Sequence, residues 1–231
     1  MPPESAVKKD TKTAIMDAAE IVMAEHGVDR SSIRAIVCKA GANTAAIHYH
    51  FNSREGLIEA ILGRHGNSVS RRRLESIREF VRRGAAPAPT DIVNFLVDPM
   101  IELLEQNGEA GRRFLRFIAR LQFDRRNQSN SKGLQVQEER KYYPEIRERL
   151  TSMLSEACPG VSDTEQEERL TMVIDTMLHS LAKAEFMSTE WETNEQHDEL
   201  LRYTQNLKAF LVGGLGTPAT KNLDQPETIE A

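Results

Sequence analysis

The sequence contains no long run of apolar residues. Nothing in it approaches the roughly 18 consecutive apolar residues that mark a membrane-spanning helix. Its first ten residues, MPPESAVKKD, have no apolar centre like that of a signal peptide. Hydrophobic residues make up 39% and charged residues 28% of the chain, which is typical of a soluble globular protein. We therefore expect a cytoplasmic protein without membrane contact.

Cysteines and catalytic motifs are scarce as well. Cys38 and Cys158 lack CxxC spacing, so we expect two buried free thiols rather than a disulfide or a thiolate metal site. The chain contains neither GxSxG nor HExxH. Its glycine-rich stretch 213–216 follows no predicted strand and so matches no phosphate-binding loop. We predict that the protein is not an enzyme and needs no cofactor.

Three histidines raise the question of a metal site. His48 and His50 are two positions apart on a predicted helix, so their side chains point in different directions. His65 does not supply a third ligand with the close spacing of known sites. We expect no metal.

The acidic net charge of -5 is unevenly distributed. Residues 1–65 carry eight basic and eight acidic side chains, and residues 66–83 carry six arginines against two glutamates. The acidic excess therefore lies entirely after residue 83. A neutral-to-basic N-terminal part is compatible with a DNA partner, although it predicts only modest non-specific affinity, because phosphate neutralisation supplies most of that affinity.

The N-terminal part has the pattern of a helix-turn-helix. Apolar residues at helical spacing predict helices that end near Gly27 and Ala40, and Gly41 suits the turn between the second and third helices. Asn43 is a good cap for a short third helix that runs to about Phe51. A long fourth helix is predicted over about 53–83, weakened in its middle by glycines. Such a unit places its short helix in the major groove of DNA.

The rest of the chain also reads as helical, and no strand pattern is present. The segment GAAPAP at 84–89 is a linker. We expect Pro99 to kink or split the helix that follows it, and Pro144 to break a later one. The predicted helices cover about 90–106, 109–124, 134–158, 162–187 and 194–212. The expected fold class is all-α.

The segment AGANTAAIHYHFNSREGLIEAIL, residues 40–62, resembles the TetR family of bacterial transcriptional regulators. The positions that carry the resemblance are Ala40-Gly41, Tyr49, His50-Phe51, Ser53-Arg54-Glu55 and Leu57. The match covers residues 13–62. Three mild departures are Ala42-Asn43 in place of Val-Ser, Val37 in place of alanine, and Arg54 in place of lysine, and arginine is an equally good phosphate partner.

The resemblance implies an all-α homodimer that binds a palindromic DNA operator and is released by a small-molecule effector. It divides the chain into a DNA-binding domain over 1–62, an effector-binding and dimerisation domain over 63–215, and a disordered tail over 216–231. One alternative is a DNA-binding protein of the same fold that acts without an effector. Another is a helical ligand-binding protein or enzyme with a vestigial helix-turn-helix.

The candidate DNA contacts lie on the second, third and fourth helices. Small side chains at the start of the third helix can approach base edges, while Tyr49, His50 and Arg54 suit phosphate oxygens. Ile47 and Phe51 should be core. The full set of candidate contacts is Ser31, Ser32, Arg34, Asn43, Thr44, Ala45, Ala46, His48, Tyr49, His50 and Arg54.

Two further surfaces are expected from the resemblance. A pocket for a hydrophobic or amphipathic effector would be lined by Phe95, Met100, Leu104, Phe117, Leu121, Gln122, Tyr142 and His179. For any single one of these residues, ordinary core is the alternative. A dimer interface on the last two long helices would include Val173, Met177, Leu181, Leu200, Leu207 and Phe210. Gly63 and Gly66 are a hypothetical hinge between the two domains.

Overall fold

The computed structural model describes residues 10–127, 139–183 and 194–217, with the side chains of 125–127, 139–143 and 194–196 excepted. Within these ranges the chain is helical and has no strand, so the all-α prediction is confirmed. No described helix is long and apolar enough to cross a membrane. The helices are α1 Thr11–His26, α2 Ile33–Ala40, α3 Thr44–Phe51, α4 Arg54–Arg83, α5 Pro89–Asn127, α6 Glu139–Ala157, α7 Asp163–Lys183 and α8 Asn194–Gly216.

Helices α1 to α3 and the start of α4 share one core. Ser32, Asn43 and Ser53 cap α2, α3 and α4, since each accepts a hydrogen bond from the amide three residues ahead, and the cap at Asn43 is the one predicted above. Gly41 ends α2 with φ 63°, a left-handed conformation that glycine adopts without strain. The fully buried side chains of this unit include Ile15, Met23, Ile36, Ile47 and Leu57.

Helix α4 is continuous from this N-terminal unit, formed by α1 to α3 and the start of α4, into the larger domain. Its 30 residues span about 45 Å at the usual rise of an α-helix. Gly63 and Gly66 both lie within it, and the structure shows no interruption at either position. The same helix therefore contributes to the cores of both parts of the chain.

Helix α5 is not split at Pro99, where its dihedral angles stay helical. It departs from them at Gly108 (φ 48°, ψ -124°), between the segments 90–106 and 109–124 that the sequence predicts as separate helices. Proline has no N–H to donate to the carbonyl four residues back, here that of Phe95. The side chain of Arg73, on α4, supplies the missing donor. The Arg73 Nε donates to the Phe95 carbonyl at 2.9 Å, and the Arg73 Nη2 donates to the Leu96 carbonyl at 3.1 Å. This partner from another helix removes the main cost of the proline.

A second expected break, at Pro144, is also absent, because α6 runs across it. Pro144 lies in the second turn of α6, where the lost hydrogen bond is close to the helix end.

The prediction of two buried thiols is half right. Cys158 is buried, but Cys38 is exposed, because α2 turns Ile36 and Val37 inward and leaves Cys38 on its outer side.

The larger domain packs α5 against α4, α7 and α8, with α6 against α4. Phe114 and Phe117 are among its largest fully buried side chains. Lys208 of α8 forms an ion pair with Asp98 of α5. Residues of α5 after Gly108 contact α1 and the loop that follows it, so this part of α5 joins the larger domain to the N-terminal unit.

His65 lies at this junction and is 8% exposed. Its ring centroid is 5.1 Å from that of Phe114. Burial, together with repulsion from Arg64 and Arg113, lowers the pKa of His65 from 6.5 to about 4. The fold therefore holds this imidazole neutral.

This buried neutral histidine predicts a loss of stability in mild acid. Between pH 6.5 and about 4 the unfolded chain binds a proton at His65 that the folded chain does not. The free energy of unfolding should therefore fall as the pH is lowered through that window, by at most about 3 kcal/mol. Urea unfolding at a series of pH values measures this change in the free energy of unfolding. His65→Leu should flatten the slope, while His26→Gln, at an exposed histidine, should keep it. An unchanged slope in His65→Leu would contradict the assignment.

Candidate nucleic-acid interface

Helix α3 exposes one face and buries the other. Ile47 is fully buried and Phe51 nearly so, as the sequence predicts. Thr44, Ala45 and Tyr49 lie on the outer side, and Tyr49 is 85% exposed. A large aromatic side chain with so much free surface, beside two small residues, leaves room for close approach of another molecule.

The end of α3 is fixed by His48 and Asn52. The Nδ1 atom of His48 lies 3.0 Å from the carbonyl oxygen of Asn52, and the Asn52 amide donates to the His48 carbonyl at 3.1 Å. Asn52 adopts φ 64°, which is unusual for a residue other than glycine. Next to them, the ring of half-buried His50 meets that of Tyr49 edge to face at 4.8 Å. The candidate residues of α3 thus lie together at one surface.

At the start of α2 the candidates divide into two groups. Ser32 is exposed and caps the helix, and Arg34 is exposed on its first turn. Ser31 is 4% exposed, and its Oγ lies 2.6 Å from the Gly27 carbonyl and 3.1 Å from the Val22 carbonyl. Its hydroxyl holds the end of α1 and cannot reach DNA, so the prediction for Ser31 is corrected.

Arg54 has a structural role that the sequence did not suggest. Its guanidinium donates to the carbonyl of Val28, and to that of Ser31 at 3.3 Å. The side chain is half-buried and joins the start of α4 to the loop between α1 and α2. This geometry replaces the expected phosphate contact of Arg54 with an internal one.

The same loop is held from the other domain. The Oδ2 atom of Asp124, near the end of α5, accepts a hydrogen bond from the Val28 amide at 2.8 Å. Arg120 forms an ion pair with Asp124 at 3.3 Å. We call Arg54, Arg120 and Asp124 the Val28 clamp. Gly27 is required beside it, because its φ is 89° and a Cβ there would lie 2.9 Å from Asp124 Oδ2.

A set of buried charges lies next to the clamp. Arg64 of α4 pairs with Asp17 and Glu20 of α1, and Glu20 has no exposed surface. Arg113 of α5 approaches Glu20 at 3.9 Å. Sequence analysis missed these residues and Asp124, because each reads as an ordinary charged position on an amphipathic helix.

Among the described residues, the side chains predicted to line the effector pocket leave no open space beside the most buried of them. Leu104 and Phe117 have no accessible surface, so no water-sized space adjoins them, and Phe95, Met100 and Leu121 are also buried. Gln122 and His179 are half-buried, and His179 Nδ1 bonds to the Asp175 carbonyl at 3.0 Å. The side chain of Tyr142 lies outside the described residues.

A different space lies between α4 and α5. It has a volume of about 370 Å³ and a largely polar lining that includes Arg71, Arg72, Glu75 and Glu102. Arg72 and Glu102 are already joined by a hydrogen-bonded ion pair. This cleft does not match the apolar pocket that the sequence predicts.

Most residues predicted for the dimer interface belong to the chain's own core. Each of them except Phe210 is at most 7% exposed: Val173, Met177, Leu181, Leu200 and Leu207. Their apolar stripes pack inside the domain, so their assignment to an interface is corrected. Phe210 is 70% exposed, and Met172 on α7, which was not predicted, is 61% exposed.

Two family profiles match the chain. Residues 15–61 match the profile described as bacterial regulatory proteins, tetR family, and residues 94–214 match that of the tetracyclin repressor-like C-terminal domain. Together they cover the helix-turn-helix unit and most of the larger domain. The second match alone spans more than half of the chain.

Individual relatives match over a short segment. The chain is 40% identical over 55 residues to the HTH-type transcriptional repressor BepR of Brucella suis, and 34% identical over 58 residues to the uncharacterized HTH-type transcriptional regulator TtgW of Pseudomonas putida. These segments are 24% and 25% of this chain, and the chain spans about a quarter of BepR and under half of TtgW.

Solved structures share the fold over nearly the whole chain. HlyIIR, a hemolysin II transcriptional regulator, has a TM-score of 0.53 at 16% identity, covering 90% of this chain and 97% of that one. The fatty acid degradation regulator FadR from Bacillus halodurans has a TM-score of 0.51 at 18% identity, with the same coverage. At such low identity these similarities establish the fold alone.

The Val28 clamp predicts local protection of one amide. In Asp124→Ala, the Val28 amide loses an acceptor that carries charge, a hydrogen bond worth about 1.5–3 kcal/mol. Its hydrogen exchange should become at least about tenfold faster, while amides in the middle of α8 keep their rates. Hydrogen exchange followed by NMR measures both. Glu105→Ala, at an exposed acid on α5, is the matched control. Equal protection of Val28 in wild type and Asp124→Ala would contradict the clamp.

Proposed function

The chain belongs to the TetR family of bacterial regulatory proteins, and on that premise we propose that it is a homodimeric transcriptional repressor that binds a palindromic operator. The observation that carries the proposal is the outer face of α3, where Tyr49 is 85% exposed beside Thr44 and Ala45. The segment that is 40% identical to the repressor BepR is of the length of the N-terminal unit. A DNA partner implies a cytoplasmic location.

In this proposal α3 lies in the major groove. Thr44 and the methyl groups of Ala45 and Ala46 approach the base edges, and Tyr49 and His50 contact phosphates, which position the helix without reading sequence. Arg34, exposed at the start of α2, reaches the opposite backbone wall of the groove. Ser32 and Asn43 accept from the amides of Ala35 and Ala46 as caps, so their part is to fix the starts of α2 and α3 near the phosphates.

The domain division 1–62 and 63–215 is part of the proposal, with α7 and α8 as the dimerisation surface. Tyr203 Oη donates to the Ser180 carbonyl at 3.0 Å, which sets the register of these two antiparallel helices. Met172 lies eight residues before Ser180 on α7, and Phe210 lies seven residues after Tyr203 on α8. At the usual helical rise, the two side chains are therefore about 12 and 11 Å from that contact in the same direction. Two large exposed apolar side chains at one level suit an isologous contact with a second copy.

We assign effector binding to the same larger domain and propose a hydrophobic or amphipathic molecule. The support is the concentration of aromatic and aliphatic side chains around Phe117, which an apolar ligand could enter by displacing part of the core. Such an entry would move α5 and, through Asp124, the loop at Val28. The alternative, a repressor without an effector, keeps the same DNA contacts and differs only in lacking this response.

The first test of the proposal concerns Tyr49. An operator is first obtained by selecting bound DNA from a random pool. Tyr49→Ala should then bind it about 10- to 100-fold more weakly by gel shift, with little change in sequence preference, because a phosphate contact acts on all sequences alike. Val81→Ala, at an exposed apolar residue near the far end of α4, is the control and should bind normally. Normal affinity of Tyr49→Ala would contradict the proposed placement of α3.

The second test concerns the dimer. Phe210→Glu places a charge in the proposed apolar contact, so sedimentation should show a shift from dimer to monomer at micromolar concentration, with the helical content unchanged. Val81→Glu makes the same change at an exposed apolar position of α4 and should remain dimeric. A wild-type chain that sediments as a monomer, or a Phe210→Glu variant that stays dimeric, would overturn this surface.

A further inference from the structure

The ring of His48 offers DNA a hydrogen-bond acceptor of fixed position. We propose that His48 is a specificity-determining residue that accepts a hydrogen bond from the amino group of an adenine or a cytosine in the major groove. This inference rests on the proposed function, since it concerns the operator that α3 would read.

The tautomer of His48 follows from its partner. The Nδ1 atom lies 3.0 Å from the backbone carbonyl oxygen of Asn52, and a carbonyl oxygen can only accept. Nδ1 must therefore carry the hydrogen. In a neutral imidazole the other nitrogen, Nε2, is then left with a lone pair and can only accept.

The orientation of the ring is fixed by the same contact. His48 and Asn52 are joined twice, by the ring to the Asn52 carbonyl and by the Asn52 amide to the His48 carbonyl at 3.1 Å. Asn52 adopts φ 64°, and its carbonyl oxygen lies within hydrogen-bond distance of the His48 ring. Rotation of the ring would break the first of these bonds, so Nε2 is held in place before any DNA arrives.

His48 also lies on the outer face of α3. It is exposed, and it follows Thr44 by four residues and Ala45 by three, so the three side chains are neighbours on the helix surface. Thr44 and Ala45 are the small residues that allow close approach. An acceptor one turn further along the same face therefore faces the same groove.

An acceptor distinguishes between bases in a way that a hydroxyl does not. In the major groove adenine N6 and cytosine N4 carry donors, whereas guanine and thymine present acceptors at N7, O6 and O4. The hydroxyls of Thr44 and Tyr49 can donate or accept, so they tolerate either kind of base edge. Neutral His48 favours adenine or cytosine at its contact and disfavours guanine and thymine.

The test removes the base amino groups one at a time. The full chain is used at pH 8, with an operator selected from a random pool. Each adenine of a half-site is replaced by purine, and each cytosine by 2-pyrimidinone, which lack the amino group. At one position per half-site the replacement should weaken binding by wild type about tenfold. The same replacement should leave the affinity of His48→Ala almost unchanged.

Each other outcome has a defined meaning. If every replacement weakens wild type and His48→Ala equally, or if His48→Ala relaxes a preference for guanine or thymine, the inference is wrong. His48→Gln keeps an acceptor and should stay sensitive to removal of that amino group, which separates loss of the contact from damage to α3. Because its amide can also donate, its preference against guanine and thymine should relax. If wild type enriches no DNA sequence from the random pool, the proposed function itself fails, and the inference fails with it.

Discussion

The backbone of Val28 is held on both of its sides by charged side chains from other helices. Asp124 of α5 accepts from its amide at 2.8 Å, and Arg54 of α4 donates to its carbonyl. The loop that contains Val28 connects α1 to α2 and thereby sets where α2 begins. Because α3 follows α2 after a tight turn at Gly41, the placement of the exposed face of α3 depends on these two hydrogen bonds. Neither partner belongs to the helix-turn-helix itself.

The surroundings of this contact are electrostatic as much as apolar. Glu20 has no exposed surface and is bonded by Arg64 at 3.2 Å, with Arg113 near its other oxygen. A buried carboxylate is tolerated when cations pair with it, but breaking such a pair leaves an uncompensated charge and is costly. The same arginines help to keep His65 neutral by lowering its pKa. Paired charges from α1, α4 and α5 thus specify how the N-terminal unit packs against the larger domain.

The local part of the fold could be predicted from the sequence, because its signals lie within a few residues of each other. Capping by Asn43 and the burial of Ile47 and Phe51 follow from spacing alone. Pro99 could not be judged in this way, since its lost hydrogen bond is compensated by Arg73 on another helix. Ser31 and Arg54 look like surface residues in sequence. In the structure both donate to carbonyls of the loop between α1 and α2, whose course is set by contacts with other helices. On α8, the apolar pattern placed Leu207 and Phe210 in one interface, whereas the structure buries Leu207 in the core and leaves Phe210 exposed.

The position of Asp124 also limits how the two domains can communicate. A ligand can shift an equilibrium only as far as it binds the two states differently. In the proposed response, a molecule that enters near Phe117 alters DNA binding to the extent that the end of α5 moves relative to α1 and changes the contact between Asp124 and Val28. Helix α4 contacts the same unit through Arg64, which pairs with Asp17 and Glu20, and through Arg54, which donates to the Val28 carbonyl. Arg113 of α5 also approaches Glu20 at 3.9 Å. The N-terminal unit is therefore joined to the larger domain through both α4 and α5, and the Asp124 contact is the part of this attachment that the proposed response would change.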